Sequence, residues 1–181
     1  MTPYELQEEL AGEVEYILKD MVFKDVNGSS VTIKAFAQSL PKRIQNVAER
    51  SVDDSGDVIM PDEDVMQEEK PADDPYPYCI VMLDSGSMSM TQNVQQIRTI
   101  LLFGIYDDDI RCLGHQAVVN ILHRIAERFA ANPVLNNRYQ LDYEAGISWT
   151  LDDEDRYPYY FGAMEMAWNT LFVSREEDKY A

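Results

Sequence analysis

Basic residues are scarce in this chain. Its 181 residues carry 15 Lys+Arg against 33 Asp+Glu, a formal net charge of −18. A surface of that sign repels phosphate backbones, so tight nucleic-acid binding is not expected. Cysteine is equally sparse. Cys79 and Cys112 are too few for a disulfide scaffold, and Cys79 sits in an apolar run where a buried free thiol is expected. Long apolar stretches are missing too: the longest, near residues 100–105, is far too short to cross a bilayer as a helix, and no membrane partner is expected. The opening Met1-Thr2-Pro3-Tyr4-Glu5 is not basic and then apolar, so it does not read as a secretory leader. A cytoplasmic location is the resulting expectation. The length suits one domain over residues 1–181, large enough to bury a core without staples.

The apolar pattern is what the chain does have. Thr2 is placed as an N-cap, Pro3 at the first helical position and Glu5 at the capping-box position. Leu6, Leu10, Val14, Ile17, Leu18 and Met21 then recur at helical spacing, which predicts an amphipathic helix. Asn27-Gly28 marks a turn. Val31, Ile33, Ala35 and Ala37 alternate with their neighbours and predict one strand, stopped by Leu40-Pro41. Cys79-Ile80-Val81-Met82-Leu83 predicts a buried strand closed by a corner at Asp84-Ser85-Gly86-Ser87. Residues 94–106 predict a second strand, with Ile97, Thr99, Leu101, Phe103 and Ile105 on one face. Asp107, Asp108 and Asp109 suit a helix N-terminus. Ile110, Leu113, Ala117, Val118, Ile121, Leu122, Ile125 and Phe129 then form a helical stripe ended by Asn132-Pro133. Shorter strands are expected at Tyr139, Leu141 and Tyr143, and at Ile147, Trp149 and Leu151. A final strand carries Met164, Met166, Trp168, Thr170 and Phe172. Two principal helices and five or six strands make an α+β domain, its sheet mainly antiparallel with both helices on one face.

Residues 51–75 differ from the rest. Ten acids there face one base, Lys70, with Pro61, Pro71 and Pro75 interspersed. That segment predicts a flexible acidic insertion, and residues 174–181 a loose tail. Tyr76-Pro77-Tyr78 and Tyr157-Pro158-Tyr159 each precede a core strand, where a proline marks the entry because it cannot donate to a ladder. Their tyrosines serve either as packing or as interface anchors.

No constellation of residues is spaced for catalysis. Val81-Met82-Leu83-Asp84-Ser85-Gly86-Ser87 is similar to the active-site turn of aspartic proteases, but that chemistry needs two carboxylates sharing a proton, and the turn occurs once. A dimeric aspartic protease is therefore kept only as an alternative. Cys112 and His115 stand at i and i+3, with Cys79 and His123 as the remaining conceivable zinc ligands. His123 lies too far along the helix to share that site unaided. In Asp53-Asp54-Ser55-Gly56-Asp57 the glycine precedes the last aspartate, where a calcium loop needs it to follow, so the register fails. No catalytic residue, metal site or cofactor is assigned, and the chain is expected not to be an enzyme.

The order of elements nevertheless resembles one known class. The first helix, Val31-Thr32-Ile33-Lys34-Ala35-Phe36 with its Leu40-Pro41-Lys42 stop, Tyr76-Pro77-Tyr78-Cys79-Ile80-Val81-Met82-Leu83, the strand from Gln96 to Asp107, the long helix, and the stretch from Tyr157-Pro158-Tyr159-Tyr160-Phe161-Gly162 to Trp168 are similar to tail terminator and head–tail joining proteins of long-tailed bacteriophages. The resemblance implies a structural, minor tail protein that closes into a hexameric ring at the head-proximal end of the tail. There it would end tube growth and join the tail to the head, with tail-tube and head-completion proteins as partners. DNA would pass its hole without specific binding. It implies a virion location after assembly in the bacterial cytoplasm.

On that reading Ser85, Ser87, Met88, Met90 and Gln92, at a polar Met/Ser-rich hairpin tip, and Tyr76, Tyr157 and Tyr159 are the candidate protein contacts. Asp53, Asp54, Asp57, Asp62, Glu63 and Asp64 are the candidate acidic rim or lumen. A second alternative is an acidic cytoplasmic adaptor or inhibitor, binding a basic partner in a salt-sensitive way.

Overall fold

The capping signals at the N-terminus act as their chemistry dictates. In this computed structural model, which describes residues 2–41, 75–111 and 113–171, helix α1 (Pro3–Leu18) opens with Thr2 as N-cap. The Glu5 amide donates to Thr2 Oγ1 at 3.2 Å, and the Thr2 amide donates to Glu5 Oε2 at 2.8 Å. Two orphan donors of the first turn are thereby satisfied. That bond from the Thr2 amide, the largest effect on the Glu5 carboxyl, lowers its pKa. Leu6, Leu10, Val14 and Leu18 form the buried stripe of α1.

Nine strands follow among the described residues: β1 (Phe23–Lys24), β2 (Ser30–Val31), β3 (Lys34–Ala37), β4 (Tyr78–Ser89), β5 (Val94–Tyr106), β6 (Val134–Leu135), β7 (Tyr139–Leu141), β8 (Ile147–Leu151) and β9 (Tyr159–Leu171). Helix α2 (Gly114–Ala131) lies between β5 and β6. β1 and β2 make a two-stranded ribbon around the Asn27-Gly28 turn, where Gly28 takes a positive φ of 79°. The main sheet has the order β3-β4-β5-β9-β7-β6, with β8 also paired to β9. All its pairings are antiparallel except β3 with β4. The domain is therefore α+β, with a curled, mainly antiparallel sheet and two helices packed against it.

The two helices share one face. Ile97, Leu101, Phe103 and Ile105 of β5, Met164, Met166 and Trp168 of β9, and Cys79 and Val81 of β4 are all buried with Val118, Ile121, Leu122, Ile125 and Phe129 of α2 and the stripe of α1. Phe129 meets Trp168 edge-on at 5.0 Å between ring centroids. Arg128 binds Glu13 at 2.7 Å and so links the two helices. Tyr139 donates to the Thr2 carbonyl at 2.9 Å, which ties the start of α1 to β7.

Four sequence expectations are corrected. The single strand expected over Val31 to Ala37 is two, β2 and β3, which belong to different sheets. Ile33 between them is buried in the core, and Glu15 of α1 accepts the outward amide of Ala35 at 2.8 Å. The strand count of five or six is too low because β1, β2 and β6 are two-residue pairings below the reach of periodicity. Helix α2 begins at Gly114 behind Leu113, with no side-chain cap, rather than at the Asp107 to Asp109 run. There Asp109 turns to Arg111, and Ile110 is 91% exposed rather than part of the stripe. Finally, Asp84-Ser85-Gly86-Ser87 is not a corner. β4 runs through it with a bulge between Leu83 and Ser85, and the turn to β5 comes after Ser89.

Candidate contact surface

Alternation along β4 and β5 divides the sheet into a helix-covered face and a face turned away from the helices. The second carries Tyr78, Ile80 and Met82 of β4, Leu102 and Ile100 of β5, and Phe161 and Ala163 of β9, all half-buried. An apolar groove of about 390 Å³ runs over Tyr78, Ile80, Leu102, Phe161 and Ala163, and Asp152 and Asp153 stand at its rim. Tyr78 lies across Gly104, its cross-strand partner: a Cβ there would come within 2.5 Å of the Tyr78 ring. The Arg98–Glu165 pair, 3.5 Å apart, marks the end of this apolar half.

Beyond that pair the same face turns polar. Ser87, Ser89, Gln92, Gln96, Asp142 and Asn169 line a concavity of about 530 Å³. Asp142 is fully engaged within it: Gln96 Nε2 donates to Oδ2 at 2.6 Å, and the Glu144 amide donates to Oδ1 at 2.9 Å. Desolvation pushes its pKa up, but these bonds outweigh it and the net shift is downward.

The two Tyr-Pro-Tyr motifs, distant in sequence, meet in space. Both X-Pro bonds are cis. Tyr76 packs on Tyr159 at 4.8 Å between centroids and on Tyr78 at 5.1 Å, and Tyr106 meets Tyr159 at 5.7 Å. Tyr76 and Tyr159 are half-buried, so packing among themselves accounts for them. Tyr157 is 46% exposed and donates to the Asp108 carbonyl at 2.9 Å.

The remaining candidates fall on the β4–β5 hairpin. Ser85, Ser87 and Met88 lie on the β4 arm and are exposed, and Met90 and Gln92 occupy the turn. Met88 is 56% and Met90 75% exposed. Asp84 sits exposed at the bulge, with Ser85 Oγ donating to its Oδ2 at 3.0 Å. The candidate rim residues Asp53, Asp54, Asp57, Asp62, Glu63 and Asp64, like the insertion at 51–75 and the tail at 174–181, lie outside the described residues but for Pro75.

The conceivable zinc ligands do not converge. Cys79 is buried in the core, His115 is exposed, and His123 pairs with Glu127 at 3.1 Å; Cys112 lies outside the described residues. Among the described residues no three His, Cys, Asp or Glu side chains are grouped as metal ligands. None of the described helices is long and apolar enough to cross a membrane.

Two features of the surface escaped the sequence reading. One is the exposure of Trp149, 56%, on a strand that among the described residues pairs on one side only. A lone tryptophan alternating with Ile147 and Leu151 carries the pattern of a core residue, so no signal in the sequence distinguishes it. The other is that residues 85–97 contain no Asp, Glu, Lys or Arg, the longest such run in the chain, and this was open to inspection. No protein-family model matches this sequence, and no curated protein matches it either.

Proposed function

We propose that this protein is an assembly subunit rather than an enzyme: a phage or prophage tail terminator that self-associates into a ring, with six copies expected, at the head-proximal end of the tail. The observation that carries this reading is the β4–β5 arm. In a chain of net charge −18, residues 85–97 bear no charge, while Met88 and Met90 stand exposed on that arm and its turn. A charged surface keeps copies apart, and a neutral, adaptable sheet edge is where contact costs least. The resemblance in element order supplies the tail and head as the setting, with tail-tube and head-completion proteins as further partners. The acids of residues 51–75 would repel the DNA passing through the ring.

Light scattering on the purified chain tests the self-association, and electron microscopy of tubes assembled with and without it tests termination. The expected result is a ring-sized particle that caps tubes and sets their length. A chain that stays monomeric at every concentration and leaves tube length unchanged overturns the proposal.

A further inference from the structure

We propose that copies of this chain join head to tail by sheet extension, the outer edge of the β4 arm of one copy pairing with the outer edge of β8 in the next. This rests on the assembly reading above and assigns its contact.

Among the described residues, the first edge is open past Leu83. β3 pairs with β4 as far as Val81, after which the Gln38 amide donates to the Val81 carbonyl at 2.9 Å and the Leu83 amide donates to Gln38 Oε1 at 3.0 Å. Val81 and Leu83 therefore aim their backbone groups outward. Beyond the bulge, Ser85 faces Arg98 and Gly86 faces Ile97, so the alternation of an antiparallel ladder aims Gly86 and Met88 outward as well. No described residue pairs with that edge from 84 to 89. The second edge lies on the opposite side of the sheet. Among the described residues β8 pairs with β9 only, and the Asp152 amide donates inward to the Phe161 carbonyl at 3.1 Å. The same alternation aims Ile147, Trp149 and Leu151 outward.

An open strand edge is a template for another strand, and proteins that do not use one guard it with lysine, proline or charge. The bulge and Asp84 guard only the start of the first edge; from Ser85 to Ser89, and along β8, neither charge nor proline does. Residues 85–97 and 145–151 hold no charged residue and no proline, and they are places where two copies of so acidic a chain can approach without repulsion. The occupant is a second copy because the two unguarded edges belong to opposite sides of one sheet. Joining one to the other makes a heterologous contact, the kind that closes rings. Met88 and Trp149 both lie toward the helix-covered face, by their registers with Gln95 and with Met164. Each is 56% exposed, and the joint would bring sulfur and indole together.

The test uses the full chain and two variants. Met88→Pro removes an outward donor that β5 does not use, and Trp149→Lys puts a charge on the other edge. By light scattering, each variant alone is expected to lose at least tenfold in association, with an unchanged circular dichroism spectrum. Mixed together they should form a one-to-one dimer, because the intact arm of one still meets the intact β8 of the other. Hydrogen exchange on the unaltered chain should show the Gly86, Met88 and Trp149 amides protected at high concentration and open on dilution, which reads the contact without a variant. If Trp149→Lys assembles like the unaltered chain, or the mixture stays monomeric, or those amides exchange fast in the oligomer, head-to-tail pairing is overturned while the assembly reading stands. If the unaltered chain never associates, both are overturned.

Discussion

Trp168 donates from its indole Nε1 to Thr99 Oγ1 at 3.0 Å, across the central β5–β9 pair, and both side chains are buried. The hydroxyl in turn donates to the Met166 carbonyl at 3.3 Å. A threonine in the middle of an apolar face is thus the polar partner that lets the largest core side chain be an indole. Thr99→Val keeps the shape and removes the acceptor, leaving the indole N–H unpaired. The expected cost is about 1–3 kcal/mol, measured by urea unfolding. In a Trp168→Phe background the same Thr99→Val change should cost less, since no indole N–H is then left unpaired. A Thr99→Val protein as stable as the parent would show that the bond contributes nothing.

Gly162 of β9 lies directly under Val118 of α2. A Cβ there would lie 2.5 Å from Val118 Cγ1 and 3.4 Å from Leu122 Cδ1. Val118 is a stiff, fully buried side chain that cannot swing aside, so Gly162→Ala must push the helix off the sheet. The expected loss is about 1–3 kcal/mol. Val118→Ala added to it should restore much of the fit, although alone it destabilises by opening a cavity. Thermal melts of the three proteins decide this, and simple additivity of the two single effects would argue against direct contact.

Much of this was legible in the sequence, and the misses share a cause. Periodicity located both helices, β5 and β9, because each presents a long regular stripe to one core: Leu6 to Leu18, Val118 to Phe129, Ile97 to Ile105, Met164 to Thr170. The capping box at Thr2 and Glu5 was local chemistry and appears as such. What periodicity could not supply was pairing. The Asp84-Ser85-Gly86-Ser87 string has turn chemistry, yet β5 offers a ladder on its flank and the bulge absorbs the extra residue, so tertiary pairing overrode local preference. The acids of residues 107–109 were suited to a helix start, but Arg111 competes for Asp109 and the helix begins only where Gly114 lets the chain pass under the Tyr160 ring. For the proposed contact surface, the exposed hairpin residues were legible as polar and adaptable. The openness of the β4 and β8 edges was not, since it depends on which strands are missing beside them.

The Asp109–Arg111 pair offers a pH-dependent probe of the loop before α2. Arg111 donates from Nη2 at 2.6 Å and from Nε at 3.0 Å to Oδ2, and its amide donates to Oδ1 at 3.0 Å. These bonds, the side-chain ones first, lower the carboxyl to about 2. An unfolded aspartate titrates near ~3.9. Because the folded value is the lower one, the carboxylate favours the folded loop at every pH above the unfolded value, and that contribution is lost as pH falls through about 2. The carboxyl carbon shift of Asp109 should therefore titrate well below that of an aspartate in an unfolded chain, and Arg111→Ala should raise its midpoint. A midpoint unmoved by Arg111→Ala would mean the guanidinium is not the cause.

Cys79 gives the sharpest reading of whether the core is closed. It is a fully buried residue of β4, and burial, aided by the negative charge of Glu15, pushes its thiol well above the usual value. The thiolate is the reactive form, so both access and ionisation protect it. In a Cys112→Ser background, the native protein should react with a thiol reagent orders of magnitude more slowly than the denatured protein, and raising the pH to 9 should speed the native reaction far less than it speeds the denatured one. Replacement by serine leaves a hydroxyl in a site shaped for a small apolar group and should cost about 1–3 kcal/mol, whereas alanine should cost less. Rapid native labelling at neutral pH would mean that β4 opens readily beside α1. The hairpin arm it continues into would then lack the rigid base that a contact strand requires.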